Sequence, residues 1–240
     1  MGTYNSVIEY YQKKSFALRD EIERVADEAY TLRILSIKEL GLAPEVEHLL
    51  LHPFRVIRNE AFALRLHFAL LEGHLIQKSW WEITHPKRMP SDKEIELHVR
   101  SFDMNIKRGF IIGVFSVQEH TLREYIRKTN PGILNNAKDS YWKIRNHFFT
   151  NYSFNGNVQK FLSVLKLLAS IRNTFHNDGL FYPYDDNRLE IEYKDHKYIF
   201  EVGKPIDFVE WELLIDLTEE IANFFFELNS NSNFYNQITT

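Results

Sequence analysis

The 240-residue chain contains no cysteine. Disulfides, cysteine nucleophiles and thiolate metal sites are excluded together, and the absence suits a reducing cytosol. An excess of one charge is also missing: 29 Lys and Arg stand against 33 Asp and Glu, a formal net charge of −4. That excludes a globally basic, histone-like nucleic-acid binder. It leaves room for a local basic cleft, because fields follow the arrangement of charges rather than their total. The longest apolar run, Gly109 to Phe115, falls far short of the ~20 residues a membrane span needs. There is no basic-then-apolar signal pattern at the N-terminus, no internal repeat and no linker rich in Gly, Ser or Pro. A P-loop, a Rossmann glycine fingerprint and a G-x-S-x-G elbow are absent, so nucleotide hydrolysis and serine-hydrolase chemistry have no support. The expectation is a cytoplasmic protein with a sizeable core, as one domain or two closely packed halves.

What is present is helical periodicity. Apolar and charged residues alternate in threes and fours from Val7 to about Leu40, and Gly41 with Pro44 supplies a stop. A second helical region is expected from near Pro44 to Trp80–Trp81, with a break around Leu51 to Arg55. His85 to Pro90 reads as a loop. Ser91 and Glu94 then form a capping box for a long helix ending near Lys128. Shorter helices are expected over about Asn136–Phe149 and Asn157–His176. After Gly179 the period changes to two: Leu189, Ile191 and Tyr193, then Tyr198, Phe200 and Val202, alternate with polar residues. Two such strands make one hairpin, too little for a sheet-based core. Pro205 is read as opening a last helix to about Leu228, and the polar tail after it as frayed. The fold class expected is mainly α, a helical bundle with one β-hairpin near the C-terminus at about 188–203. Residues 1–90 form an N-terminal helical region packed on a core of residues 91–240.

Chemistry concentrates between Ser170 and Pro183. Arg172, Asn173, His176, Asn177 and Asp178 fall within seven residues, directly after an apolar helical run. At about 100° per residue, Phe161, Leu165, Leu168 and Phe175 share one meridian of that helix, and Arg172 lies on it. His176 sits one turn later at the edge of the stripe. An arginine on an apolar face must meet a carboxylate or line a cleft where an anion binds, because an unpaired buried charge costs several kcal/mol. Glu119 projects from the apolar face of the preceding long helix, between Ile112 and Ile126, and is the candidate partner of Arg172. A structural bridge with an ordinary helix end is the competing reading: His176 would complement the helix dipole, and Gly179 would be the left-handed cap.

Arg172–Asn173 followed by His176–Asn177 resembles the signature of the HEPN superfamily, in which an arginine, often followed by Asn, Asp or His, precedes a histidine near a helix end. "VFSVQEHTLREYI" is similar to the preceding long helix of such proteins, and the resemblance covers roughly Ser91 to Asn229. It implies a HEPN-like helical bundle, usually a homodimer, with the motifs of two chains facing one cleft. Active members are metal-independent endoribonucleases in which the RNA 2′-hydroxyl attacks the adjacent phosphate and leaves a 2′,3′-cyclic phosphate. The resemblance implies RNA as partner, no metal and no cofactor, and a place in bacterial defence or toxin–antitoxin systems. His176 would move a proton, a role imidazoles suit near neutral pH. Arg172 would hold the phosphate as a planar fork, Asn173 would position phosphate or histidine, and Glu119 and Asn177 would support them. The sequence departs from the pattern in spacing. Only Asn173, Thr174 and Phe175 separate arginine from histidine, one fewer than the usual minimum, and Asn177 stands where the shortest usual spacing would put the histidine. Non-cleaving members of the fold, which bind nucleic acid or act as scaffolds, are therefore the alternative.

Three further clusters have chemical potential. His48 and His52 have the i,i+4 spacing of a zinc pair, but no Glu completes H-E-x-x-H and the intervening leucines mark a packed helix. Trp80 and Trp81 beside a basic loop could stack bases, although aromatics at a helix end more often pack. Arg145, Asn146 and His147 are adjacent and read as a solvated edge that could contact phosphates.

Overall fold

The computed structural model describes residues 4–42, 48–134, 140–154, 158–183 and 187–239. It is mainly helical, with one antiparallel hairpin near the C-terminus. Helix α1 spans Tyr4–Glu39 and stops at Gly41, whose φ of 62° is open to glycine at little steric cost. A 3-10 turn, Leu49–Leu51, is capped by the His48 ring, whose Nδ1 accepts from the Leu50 amide at 3.2 Å. Helix α2, His52–Leu70, follows with Pro53 in its first turn, where a missing N–H costs nothing. It runs into a π-helical turn, Leu71–Leu75, before α3, Lys78–Thr84. The expected break therefore occurs twice, at Pro53 and after Leu75. The stop and restart at Pro44 lie outside the described residues.

Ser91 and Glu94 close the capping box, and α4 runs from Asp92 to Thr129. Helix α5 is Tyr141–Asn151 and α6 is Val158–His176; the expected starts at Asn136 and Asn157 lie outside the described residues. Strand β1, Leu189–Tyr193, pairs with β2, His196–Phe200, in the register Leu189 to Phe200 and Ile191 to Tyr198. The turn residues Lys194 and Asp195 both have positive φ, the geometry that matches a two-residue hairpin to strand twist. Val202, expected within the second strand, lies beyond it. The Tyr193 hydroxyl donates to Asp216 at 2.7 Å and Lys194 pairs with the same carboxylate, so the hairpin is pinned to the last long helix.

That helix, α7, spans Trp211–Asn229 rather than starting at Pro205. Pro205 instead bridges to Leu180, and Phe181 exchanges backbone bonds with Gly203 and Lys204, so Pro205 is held in this pairing and not in a helix. Leu214, Leu217, Ile221, Phe224, Phe225 and Leu228 of α7 are wholly buried. A helix apolar round most of its circumference belongs inside a fold, and α7 packs against α1, α2, α4 and α6. One hydrophobic core runs from Tyr11 to Ile238.

The tail is the clearest departure from expectation. Residues Ser232–Thr239 form α8, capped where Asn231 accepts from the Phe234 amide at 3.1 Å. Phe234 is fully buried among Tyr125, Phe148 and Tyr152, with ring centroids 4.9–6.1 Å away. Tyr152 donates to Gln237 at 2.9 Å. Polar composition had concealed two apolar anchors, Phe234 and Ile238, at i,i+4. Among the described residues, no helix is long and apolar enough to cross a membrane.

Charge is buried at the start of α7. The Trp211 indole donates to Asp103 at 2.8 Å, and Lys107 donates to the Val209 carbonyl at 3.2 Å while lying 3.5 Å from Asp103. Asp103 and Lys107 are both buried, on one face of α4. Removing the carboxylate would leave the buried indole N–H unbonded and the ammonium with only the Val209 carbonyl and Glu210, 3.7 Å away, a change that costs about 3 kcal/mol. The Asp103→Ala variant is expected to melt roughly 6–12 °C lower, given 2–4 °C per kcal/mol for a chain of this size. A melting temperature unchanged by circular dichroism would show that the network carries no stability.

Candidate functional site

Helix α6 buries Phe161, Val164, Leu165, Leu168, Ile171 and Phe175 against the core, the stripe its sequence spells out. Arg172 emerges from that face half-buried. Its guanidinium carbon lies 4.7 Å from the centroid of the Phe115 ring of α4, a cation–π contact of about 1 kcal/mol. One terminal nitrogen donates to Asn173 Oδ1 at 2.9 Å. The Nε is buried and has no hydrogen-bond partner.

Glu119 does not meet Arg172. It accepts two bonds from Arg123, at 2.6 and 3.1 Å, one turn along its own helix. An i,i+4 partner on the same backbone is positioned by the helix itself, and this local pairing takes the carboxylate. The expected bridge between α4 and α6 is replaced by an arginine resting on an aromatic ring.

The end of α6 closes through backbone bonds. The Gly179 amide donates to the Thr174 carbonyl at 2.9 Å, and Asp178 takes the left-handed conformation at φ 53°, with Gly179 following at 85°. This is a Schellman-type end in which Asp178, rather than Gly179, occupies the first left-handed position. His176 and Asn177 are both exposed on this last turn. The fold thus joins Arg172 to Asn173 by a hydrogen bond. It sets His176 one turn away, about 6 Å between Cβ atoms for this spacing, and leaves Glu119 engaged elsewhere.

The neighbouring helix adds groups that the sequence reading set aside. Tyr141 opens α5 and packs its ring edge-on against Phe115, centroids 4.9 Å apart. Gln118 of α4 donates its side-chain amide to the Tyr141 hydroxyl. Arg145, one turn after Tyr141, is only 7% exposed, and His147 only 8%. The adjacent Arg-Asn-His residues are therefore not a solvated edge: Tyr141, Ile144, Arg145 and Phe148 trace a helical apolar face, with Arg145 on it. No carboxylate or hydrogen-bond partner reaches Arg145 among the described residues, and its Nε and the Gln118 Oε1 are both buried and unbonded. Burial pushes the guanidinium below its ordinary value, with the nearby Tyr141 hydroxyl opposing the shift. Burial likewise raises Tyr141. Arginine stays charged through such shifts. The same stripe argument that singled out Arg172 would have found Arg145.

The other clusters resolve into packing. Trp81 is buried, donates its indole N–H to the Leu75 carbonyl at 2.8 Å and stacks on His98 at 5.5 Å. Trp80 packs edge-on against it. His48 caps its turn and the His52 ring lies 6.3 Å from His120; among the described residues, no group of three or more His, Asp or Glu side chains could hold a metal. No family model matches the chain, and no curated protein or solved structure does so either.

His147 supplies a pH test. Its Nδ1 lies 3.1 Å from the Asn151 amide nitrogen, its Nε2 is buried and unbonded, and burial lowers its pKa. His48 and His52 are lowered too, mainly by burial and secondarily by Lys128 and His120. Above the ordinary histidine value near 6.5, both folded and unfolded chains hold these rings neutral, so the fold keeps its full stability. As pH falls through that value the unfolded chain binds protons first, and stability drops until the lowered folded value is passed. The urea midpoint is therefore expected to decline between about pH 7 and 5. The decline should be shallower in His147→Gln. Equal slopes in the two proteins would show that His147 takes up its proton as readily folded as unfolded.

Proposed function

We propose that this chain is a HEPN-like RNA-binding protein that cleaves RNA without a metal, using Arg172, Asn173 and His176. One observation carries the reading. Arg172 is held against Phe115 with no carboxylate to neutralise it among the described residues, and an exposed imidazole stands one turn further along the same helix. A fixed cation beside a proton-transfer group is what phosphodiester cleavage by an internal hydroxyl requires. The phosphate oxygens take hydrogen bonds from the Arg172 fork, which the ring and Asn173 hold in one orientation.

In the reaction the 2′-hydroxyl loses its proton to a neutral imidazole and its oxygen forms a bond to phosphorus. The bond from phosphorus to the 5′-oxygen breaks, and that oxygen takes a proton from a protonated imidazole. One chain supplies a single His176, so the reading places two chains face to face, one imidazole as base and the other as acid. Arg172 stabilises the extra negative charge on the phosphorane.

A second reading has its own observation. The Asn173 amide oxygen is engaged with Arg172, and the three-residue gap fixes His176 closer to the arginine than the usual motif does. A site that binds RNA phosphates without cleaving them would fit that arrangement. Incubation with mixed single-stranded RNA in EDTA separates the two. The parent protein is expected to release fragments ending in 2′,3′-cyclic phosphate, and Arg172→Ala and His176→Ala should each slow the rate by about 100-fold or more. Equal cleavage by all three would remove these residues from the mechanism. RNA retention by the parent without cleavage would select the binding reading.

A further inference from the structure

Helices α1 and α2 take no part in the proposed reaction, yet the condition of Arg172 recurs between them. Arg58 of α2 holds its guanidinium carbon 4.6 Å from the centroid of the Tyr30 ring on α1. The Phe62 ring, one turn along its own helix, lies 5.3 Å away. The Arg58 Nε is buried and unbonded, while the two terminal nitrogens are open to solvent. No carboxylate pairs with this guanidinium among the described residues. Glu23 and Glu72, on the same side of the helix pair, are taken by Arg65 and Arg19. Asp27, three residues before Tyr30, is exposed and does not reach Arg58. Two rings thus hold a set of charged donors that has no acceptor.

The rings themselves stay open: Tyr30 is 44% exposed and Phe62 40%. Two turns after Arg58, about 10 Å along the helix axis, Arg65 borders a cavity between the same two helices. Its volume is about 140 Å³, and Arg19, Ile22, Phe68 and Ala69 complete the lining. A space of that size takes one six-membered ring.

We propose that the groove between α1 and α2 binds single-stranded RNA, with one phosphate on Arg58, a base stacked on Phe62 and a neighbouring base in the cavity. The inference rests on RNA as the ligand. It goes beyond the Arg-Asn-His motif, places a contact surface on helices that carry none of it, and does not depend on cleavage. A single strand alternates anion and flat ring, and the groove offers cation, open ring and ring-sized space in turn. A protein carboxylate would use the guanidinium and leave the stacking face idle.

A short 2′-O-methylated RNA, which has no free hydroxyl for internal attack, is the probe, with affinity read by fluorescence anisotropy across a salt series. Arg58→Gln should weaken binding and flatten the slope of log affinity against log salt concentration by about 0.7. Phe62→Leu removes a stacking face and Ala69→Leu fills the cavity, neither touching a charge. Each should lower affinity about tenfold and leave the slope unchanged. Polyglutamate of matched charge should displace the probe far less readily than unlabelled RNA does. Parent-like affinity and slope in Arg58→Gln would overturn the proposal, as would parent-like affinity in both Phe62→Leu and Ala69→Leu. Equal displacement by polyglutamate would assign the groove to an acidic protein segment and overturn it too. Arg172→Gln and His176→Ala separate this site from the motif. If both bind the probe as the parent does while Arg58→Gln does not, the groove stands and the motif is no RNA contact. If Arg58→Gln binds as the parent does while Arg172→Gln does not, the motif stands and the groove falls.

Discussion

Helix α7 carries apolar side chains round most of its circumference, and it can persist only if other helices sheath it. That constraint orders the rest. Helices α1, α2, α4 and α6 pack on α7, the Asp103–Lys107–Trp211 network fixes where it starts, and Tyr193 with Lys194 clamps the hairpin over its middle. Asn229 at its far end accepts from Tyr125 and donates to the Leu50 carbonyl, tying the last turn to α4 and to the 3-10 turn before α2. With α4 and α6 held on one scaffold, Phe115 and Arg172 meet at a fixed separation. The site is therefore a consequence of core packing, built on rigid helices rather than on loops.

The sequence revealed those parts of the fold whose signals are local. Ser91 and Glu94 declare a capping box three residues apart, and two alternating runs around Lys194–Asp195 declare a hairpin; both need only neighbouring residues to form. Signals that depend on competition were harder to read. Glu119 has two possible partners, one across a helix interface and one at i,i+4, and only the folded chain shows that Arg123 takes it. The tail carries Phe234 and Ile238 among asparagines, too few apolar residues to predict a helix until an aromatic cage around Tyr125 is in place to receive them. Pro205 looks like a helix start, but its partner is the extended segment at Leu180, which lies far back in the chain. Of the candidate site, the cation on an apolar stripe was readable at Arg172. It was equally readable at Arg145, where adjacency to Asn146 and His147 drew attention away from the spacing to Tyr141 and Phe148.

Desolvating a guanidinium without a carboxylate is unfavourable, and Arg145, buried with its Nε unbonded, gives up stability that methionine or leucine would supply. Proteins hold such positions where a ligand provides the missing charge. An RNA backbone provides it repeatedly along a flexible strand, which is the chemical reason to favour a nucleic acid over a protein carboxylate as the occupant. The formal net charge of −4 is compatible with this, since Arg172 rests on Phe115 while acidic residues such as Glu219 and Glu220 are paired elsewhere.

The salt dependence of single-stranded RNA affinity addresses this claim most directly. Each phosphate contact to a cation releases counterions and adds about 0.7 to the slope of log affinity against log salt concentration. With Arg172 as a phosphate contact, Arg172→Gln is expected to weaken binding and flatten that slope by about 0.7. A slope identical in parent and variant, or no measurable RNA affinity in low salt, would contradict the account.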